Sequence, residues 1–141
     1  MKLEKSKTAI VLLQLGGPDS LEAVEPFLYN LFCDPDIIDL PGAFLFRRPL
    51  ARLISSRRAP KVQELYRRIG NRSPILPQTE LQAQSLQKSL RESGLSADVL
   101  IAMRYWHPFT EEAVRQVAAG GYDRVILLPL YPHYCKATTG S

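Results

Sequence analysis

Long apolar runs are missing from this chain. No stretch approaches the roughly 20 apolar residues of a membrane-spanning helix, and a run such as Val125 to Leu128 stops at Pro129. A soluble chain is therefore expected, with the cytoplasm as its default location and peripheral membrane contact left open. Cysteine is scarce too. Cys33 and Cys135 stand far apart and form no CxxC, which argues against a disulfide framework and for a reducing compartment. A secretory signal is not indicated: Lys2, Lys5 and Lys7 precede Ala9 to Leu13, but Glu4 interrupts them and no small-x-small cleavage site follows. Two nucleotide signatures are also absent. Gly16-Gly17-Pro18 is no GxGxxG, and it lacks the Lys and Ser/Thr of a P-loop.

What is present fits one globular domain. The 141 residues are 45% apolar and 23% charged, ordinary values for a chain that buries a single core. The net charge of +4 is a modest bias toward anionic partners. Thr8 to Leu15 predicts a first strand covered on both faces. Asp19 and Glu22 have the spacing of a capping box for a helix with Leu21, Val24, Phe27, Leu28 and Leu31 on one face, where Pro26 forces a kink or a restart. Short helices are predicted from about Pro49 to Arg57 and from Pro60 to Ile69, stopped by Gly70. Pro74 and Pro77 then make a turn, and a longer helix places Leu81, Leu86 and Leu90 inward as far as Gly94. Ala97 to Met103 and Val125 to Leu130 read as strands. The helix between them starts at Thr110-Glu111-Glu112, turns Ala113, Val114 and Val117 inward, and closes at Gly120-Gly121. The alternation predicts an α/β fold: an open parallel sheet with helices on both faces.

In open parallel sheets, ligands bind outside the carboxyl ends of the strands. Three loops qualify: Gln14 to Gly17, Arg104 to His107, and Tyr131 to Lys136. They hold cations, aromatics, an amide and two histidines, with no Asp or Glu inside them. Such a mouth suits a flat, anionic, aromatic ligand better than a metal cage. Arg104 at a strand end could form a structural ion pair, but its guanidinium matches a carboxylate, which favours a ligand role. His107 caps or packs near a helix start, and His107 with His133 is a weak metal signal. Three arginine pairs, Arg47-Arg48, Arg57-Arg58 and Arg67-Arg68, fit solvated helix faces. Nucleic-acid binding would need an aromatic platform or a helix-turn-helix beside them, and neither is there. The pairs flank an apolar segment, Ile37 to Phe46, instead.

Several collinear blocks resemble the ferrochelatase family. They are Leu12 to Pro18, Arg57-Arg58-Ala59-Pro60-Lys61, Tyr66-Arg67-Arg68-Ile69-Gly70 and Ser73-Pro74-Ile75. Further on come Met103-Arg104-Tyr105-Trp106-His107-Pro108, Thr110 to Ala113, Tyr131-Pro132-His133-Tyr134, and Thr138 to Ser141. The resemblance implies one Rossmann-like half of a class II chelatase fold. It implies insertion of ferrous iron into protoporphyrin IX to form protoheme, with porphyrin and ferrous iron as substrates and no resident cofactor. Coproporphyrin as the substrate, and a non-catalytic tetrapyrrole-binding module, are the competing readings. Residues 1–141 would form the amino-terminal chelatase domain, with an apolar lip and helical excursion over about 34–77. The proton-accepting His and Glu would lie beyond residue 141 in a catalytic half, so no catalytic residue is expected in this segment and the segment alone is expected to be inactive.

The resemblance assigns porphyrin binding to Arg58, Tyr66, Ser73, Leu15, Leu31, Ile37, Ile38 and Tyr131. Arg104 and Tyr105 become cleft residues on the side from which metal approaches. Some members hold an iron–sulfur cluster through a Cys in the block after Tyr131-Pro132. Here Cys135 falls one residue early and Lys136 takes that place, so no cluster is expected.

Overall fold

The computed structural model describes residues 6–37 and 46–131. Along the chain run β1 (Thr8–Gln14), α1 (Val24–Cys33), α2 (Arg47–Arg67), α3 (Ile75–Glu92), β2 (Ala97–Met103), α4 (Thr110–Gly120) and β3 (Arg124–Pro129). These elements divide into two compact units, residues 1–15 with 77–130 and residues 16–76 with 131–141.

The first unit is a parallel sheet in the order β2-β1-β3. β1 pairs with β2 from Thr8↔Ala97 to Gln14↔Met103, and with β3 from Thr8↔Arg124 to Leu13↔Pro129. Alternate residues of a strand face opposite ways, and β1 uses both. Ile10 and Leu12 join Ala83, Leu86 and Leu90 of α3 on one face. Val11 and Leu13 join Ala102, Ala113 and Val117, with α4, on the other. Helices therefore cover both faces, as the unbroken apolar run of β1 predicts. β3 is exposed along its length, and Val125, Ile126, Leu127 and Leu128 all remain open to solvent.

Two side chains predicted to point inward do not. Leu81 and Val114 are each about three-fifths exposed, because the buried stripe of α3 runs through Thr79 and Ala83 and that of α4 through Ala113 and Val117. Residues one or two places off such a stripe rotate away from the sheet. Gly120 closes α4 under the Tyr122 ring, which a Cβ would penetrate, and Gly121 takes the left-handed conformation (φ 61°) that ends the helix. At the start of α4, the Phe109 carbonyl accepts the Glu112 N–H at 2.9 Å. The Glu112 carboxylate accepts the Phe109 N–H in return at 2.6 Å, a reciprocal cap made without a hydroxyl.

The second unit is built on α1 packed against α2. Val24, Phe27, Leu28 and Phe32 are the buried side of α1, and Ala51, Ser55 and Ala59 that of α2. Small residues every fourth position let two helix backbones come close. The predicted Asp19–Glu22 cap does not form. α1 starts at Val24, and Ser20 Oγ accepts the Ala23 N–H at 3.1 Å in the turn before it. Starting there puts Pro26 in the first turn, where its missing N–H has no intrahelical acceptor to lose.

The two short helices predicted on either side of Pro60 are one helix of 21 residues. An interior proline costs about 3 kcal/mol in a helix. Here the Ala51-Ser55-Ala59 stripe packs on α1 up to the proline, while Pro60 and Ser56, whose carbonyl loses its donor, are both exposed. α2 ends at Arg67, two residues short of the predicted Ile69; Gly70 (φ 97°) and Asn71 (φ 66°) then reverse the chain, and the Asn71 N–H returns to the Tyr66 carbonyl at 2.8 Å. α3 begins at Ile75, ahead of the predicted turn residue Pro77, which occupies its first turn.

Leu12 is 1% exposed at the centre of the α3 side of the sheet. Leu12→Ala is expected to lower the unfolding free energy by about 3 kcal/mol, read from urea denaturation. The Glu112 carboxyl is held below its ordinary value of 4.5, chiefly by the Phe109 N–H. A depressed carboxylate adds stability that is full above the ordinary value and is lost as pH falls through the folded one. The urea midpoint of the parent should thus fall more steeply than that of Glu112→Gln as pH drops from about 4.5.

Candidate functional site

The site loops are placed by backbone hydrogen bonds. In the first unit the β1–β2 ladder continues past the ends of both strands. The Arg104 N–H donates to the Gln14 carbonyl at 3.0 Å, and the Tyr105 N–H to the Leu15 carbonyl at 3.0 Å. The Met103 N–H donates to the Pro108 carbonyl at 2.7 Å, which closes the intervening loop. Leu15, Arg104 and Tyr105 are thereby brought together. Leu15 is half-buried, Tyr105 is buried, and Arg104 is exposed with its guanidinium carbon 5.9 Å from the centre of the Tyr105 ring.

His107, read from the sequence as lacking a nearby acid, has one. Its Nδ1 lies 3.0 and 3.1 Å from the two oxygens of Glu112. The three-loop inventory missed this because Glu112 belongs to the following helix. The available signal was the spacing: a helix start after Pro108 brings the third helical residue back over the loop. Trp106 and Phe109 meet the His107 ring edge-on, with centroids at 5.4 and 4.4 Å. Trp106 Nε1 is buried with no hydrogen-bond partner. Such an unsatisfied donor costs about 1–3 kcal/mol, so this loop is not built for stability alone.

In the second unit Tyr66 and Ser73 come together, though seven positions and two left-handed residues separate them. The Ser73 N–H donates to the Pro18 carbonyl at 2.7 Å, and the Ser73 hydroxyl is hydrogen-bonded to the Tyr66 phenol. Burial pushes the Tyr66 phenol above its ordinary range, and the Ser73 contact only partly opposes it. Tyr66 is therefore a neutral donor at physiological pH. Gly17 makes the arrangement fit, since a Cβ there would lie 2.6 Å from Ser73 Cβ. Arg58 sits on α2 two helical turns before Tyr66, about 12 Å along the axis. It is exposed, with its guanidinium carbon 5.6 Å from the centre of the Phe32 ring.

Leu31 and Ile37 are half-buried at and beyond the end of α1, and Tyr131 is half-buried after β3. Ile38 and the rest of the apolar segment to 45 lie outside the described residues, as do His133, Cys135 and Lys136. Chemically, the second unit offers a cation and two hydroxyls suited to carboxylates. The first offers an exposed arginine and a histidine whose tautomer is fixed by a carboxylate.

Comparison with known proteins gives these features a family. The ferrochelatase family model matches residues 7–141. Ferrochelatase of Parasynechococcus marenigrum is 55% identical over 136 residues, which cover 96% of this chain and 34% of that protein. Ferrochelatase-2, chloroplastic, of Cucumis sativus is 54% identical over 136 residues, covering 96% of this chain and 26% of that protein. Ferrochelatase-2, chloroplastic, of Arabidopsis thaliana is 50% identical over 139 residues, 98% of this chain and 27% of that protein. The chain thus spans about a quarter to a third of the length of these curated relatives. The elements on which the site loops are built, from β1 to β3, all fall inside the matched region, and the chain belongs to the ferrochelatase family.

Proposed function

We propose that this chain is the porphyrin-holding, amino-terminal part of an enzyme that inserts ferrous iron into protoporphyrin IX to form protoheme. The observation that carries the reading is the Tyr66–Ser73 pair on the same unit as Arg58. A propionate is a small carboxylate at the end of a flexible arm. The Arg58 guanidinium supplies a charge-assisted hydrogen bond, and the neutral phenol and hydroxyl supply donors without a competing negative charge. Leu15, Leu31, Ile37, Ile38 and Tyr131 are assigned to the apolar edge of the macrocycle, and Arg104 and Tyr105 to the side from which metal approaches.

Metal insertion requires the ring to bend until pyrrole nitrogens expose lone pairs, and a base to take their protons. Binding energy from the propionates and the ring edge, remote from the reacting nitrogens, can be directed into that distortion. Within this chain no residue is assigned as the base. Ferrous iron is a substrate of the reaction, and neither a resident cofactor nor an iron–sulfur cluster is part of the proposal.

We place the protein in the cytoplasm, with a peripheral membrane contact through α2. Phe46 and Leu53 are exposed there beside Arg57 and Lys61, the mixture that suits an anionic lipid surface. No helix among the described residues is long and apolar enough to cross a membrane.

Fluorescence titration with protoporphyrin and with coproporphyrin tests the assignment. Arg58→Ala is expected to weaken protoporphyrin binding about tenfold or more, the value of a hydrogen bond to a charged group. Tyr66→Phe and Ser73→Ala should each weaken it about fivefold. Gly17→Ala should match Ser73→Ala, because the added methyl displaces Ser73. Unchanged affinity in all four variants would refute the propionate assignment, and tighter binding of coproporphyrin would move the substrate to that ring. Iron insertion by the 141-residue chain itself would overturn the division of labour.

A further inference from the structure

The loop after β2 carries a histidine–carboxylate pair that the propionate contacts do not use. Both Glu112 oxygens lie within 3.1 Å of His107 Nδ1. An ionised carboxylate can only accept, so in neutral imidazole the proton sits on Nδ1 and Nε2 keeps its lone pair. The Phe109 N–H donates to the same carboxylate at 2.6 Å and fixes its position against the ring. Trp106 and Phe109 fix the ring between them, yet 54% of the His107 side chain is exposed. An imidazole with one nitrogen tied to a carboxylate and the other free is the arrangement of a metal-ligating histidine with its outer partner in place.

We propose that His107 Nε2 is a first-contact ligand for a divalent transition cation, on the same loop as Arg104 and Tyr105. An imidazole nitrogen favours iron, cobalt or zinc over magnesium. Among the described residues no three His, Cys, Asp or Glu side chains gather into a metal cage. The ion therefore keeps most of its water and leaves readily, which suits a delivery point and not a resident metal. The biological role rests on the chelatase reading, but the ion site is measurable without porphyrin.

The chain has a single tryptophan, Trp106, so its emission reports on this loop. Cobalt(II) at neutral pH is expected to quench it saturably, with zinc reversing the effect and magnesium failing to do so. His107→Asn should abolish the saturable quenching. In Glu112→Gln the side-chain carbonyl still accepts the Phe109 N–H, while the amide donates to Nδ1 and moves the imidazole proton to Nε2. Cobalt affinity should then fall about tenfold, with the far-ultraviolet circular dichroism of both variants unchanged. Saturation that persists in His107→Asn, or quenching in the parent that never saturates, would overturn the proposal. Loss of porphyrin binding with an intact cobalt response would sink the chelatase reading alone.

Discussion

Three carbonyls within the run Gln14 to Pro18 accept the hydrogen bonds that fix the candidate loops of each unit, two in the first and one in the second. The Gln14 and Leu15 carbonyls receive the N–H groups of Arg104 and Tyr105, and the Pro18 carbonyl receives that of Ser73. These contacts lie where β1 has run out of partner strand, so they do the work of a ladder without being one. Backbone acceptors of this kind specify position without specifying side chains. They allow Arg104 and Ser73 to be chosen for chemistry while the chain path stays fixed. Gly16 and Gly17 follow from the same demand: Gly16 turns the segment with a φ of 89°, and Gly17 stands where there is no room for a Cβ beside Ser73.

Electrostatics divides the two units by role. The second is rich in exposed arginine along α2, and its tyrosine is kept neutral by burial. Tyr66 can thus donate to an anion without adding a negative charge of its own. The first holds an ionised Glu112 between a backbone N–H and an imidazole, so its negative charge is used internally to orient a nitrogen ligand.

Much of this was legible in the sequence wherever a local rule had no competitor. β2 runs from Ala97 to Met103 as predicted, and β1 ends one residue short of its predicted limit, because an apolar run bounded by turn residues leaves few alternatives. Pro60 misled because its local cost was visible and the α1 contact that offsets it was not. Leu81 and Val114 misled for a related reason: hydrophobicity marks residues fit for burial, but the helix rotation is set by the small residues Ala83 and Ala113, whose signal is faint. In the site, Arg104 and Tyr105 were marked by their place just after β2, whereas Arg58, Tyr66 and Ser73 were singled out only by the resemblance of their blocks to the ferrochelatase family. The His107–Glu112 pair was signalled only by the spacing of Glu112 from the helix start, a fainter cue because it depends on how that start folds back over the preceding loop.

The two-sided use of β1 constrains how this segment can vary. Its odd and even residues belong to different cores, and both of its edges are paired in register. Exchanging one aliphatic residue for another alters a single core locally. Inserting or deleting one residue would send every later side chain to the wrong helix and move Gln14 and Leu15 off their loop partners. Drift in β1 is thus confined to substitution, and changes of length are left to segments that nothing else counts on.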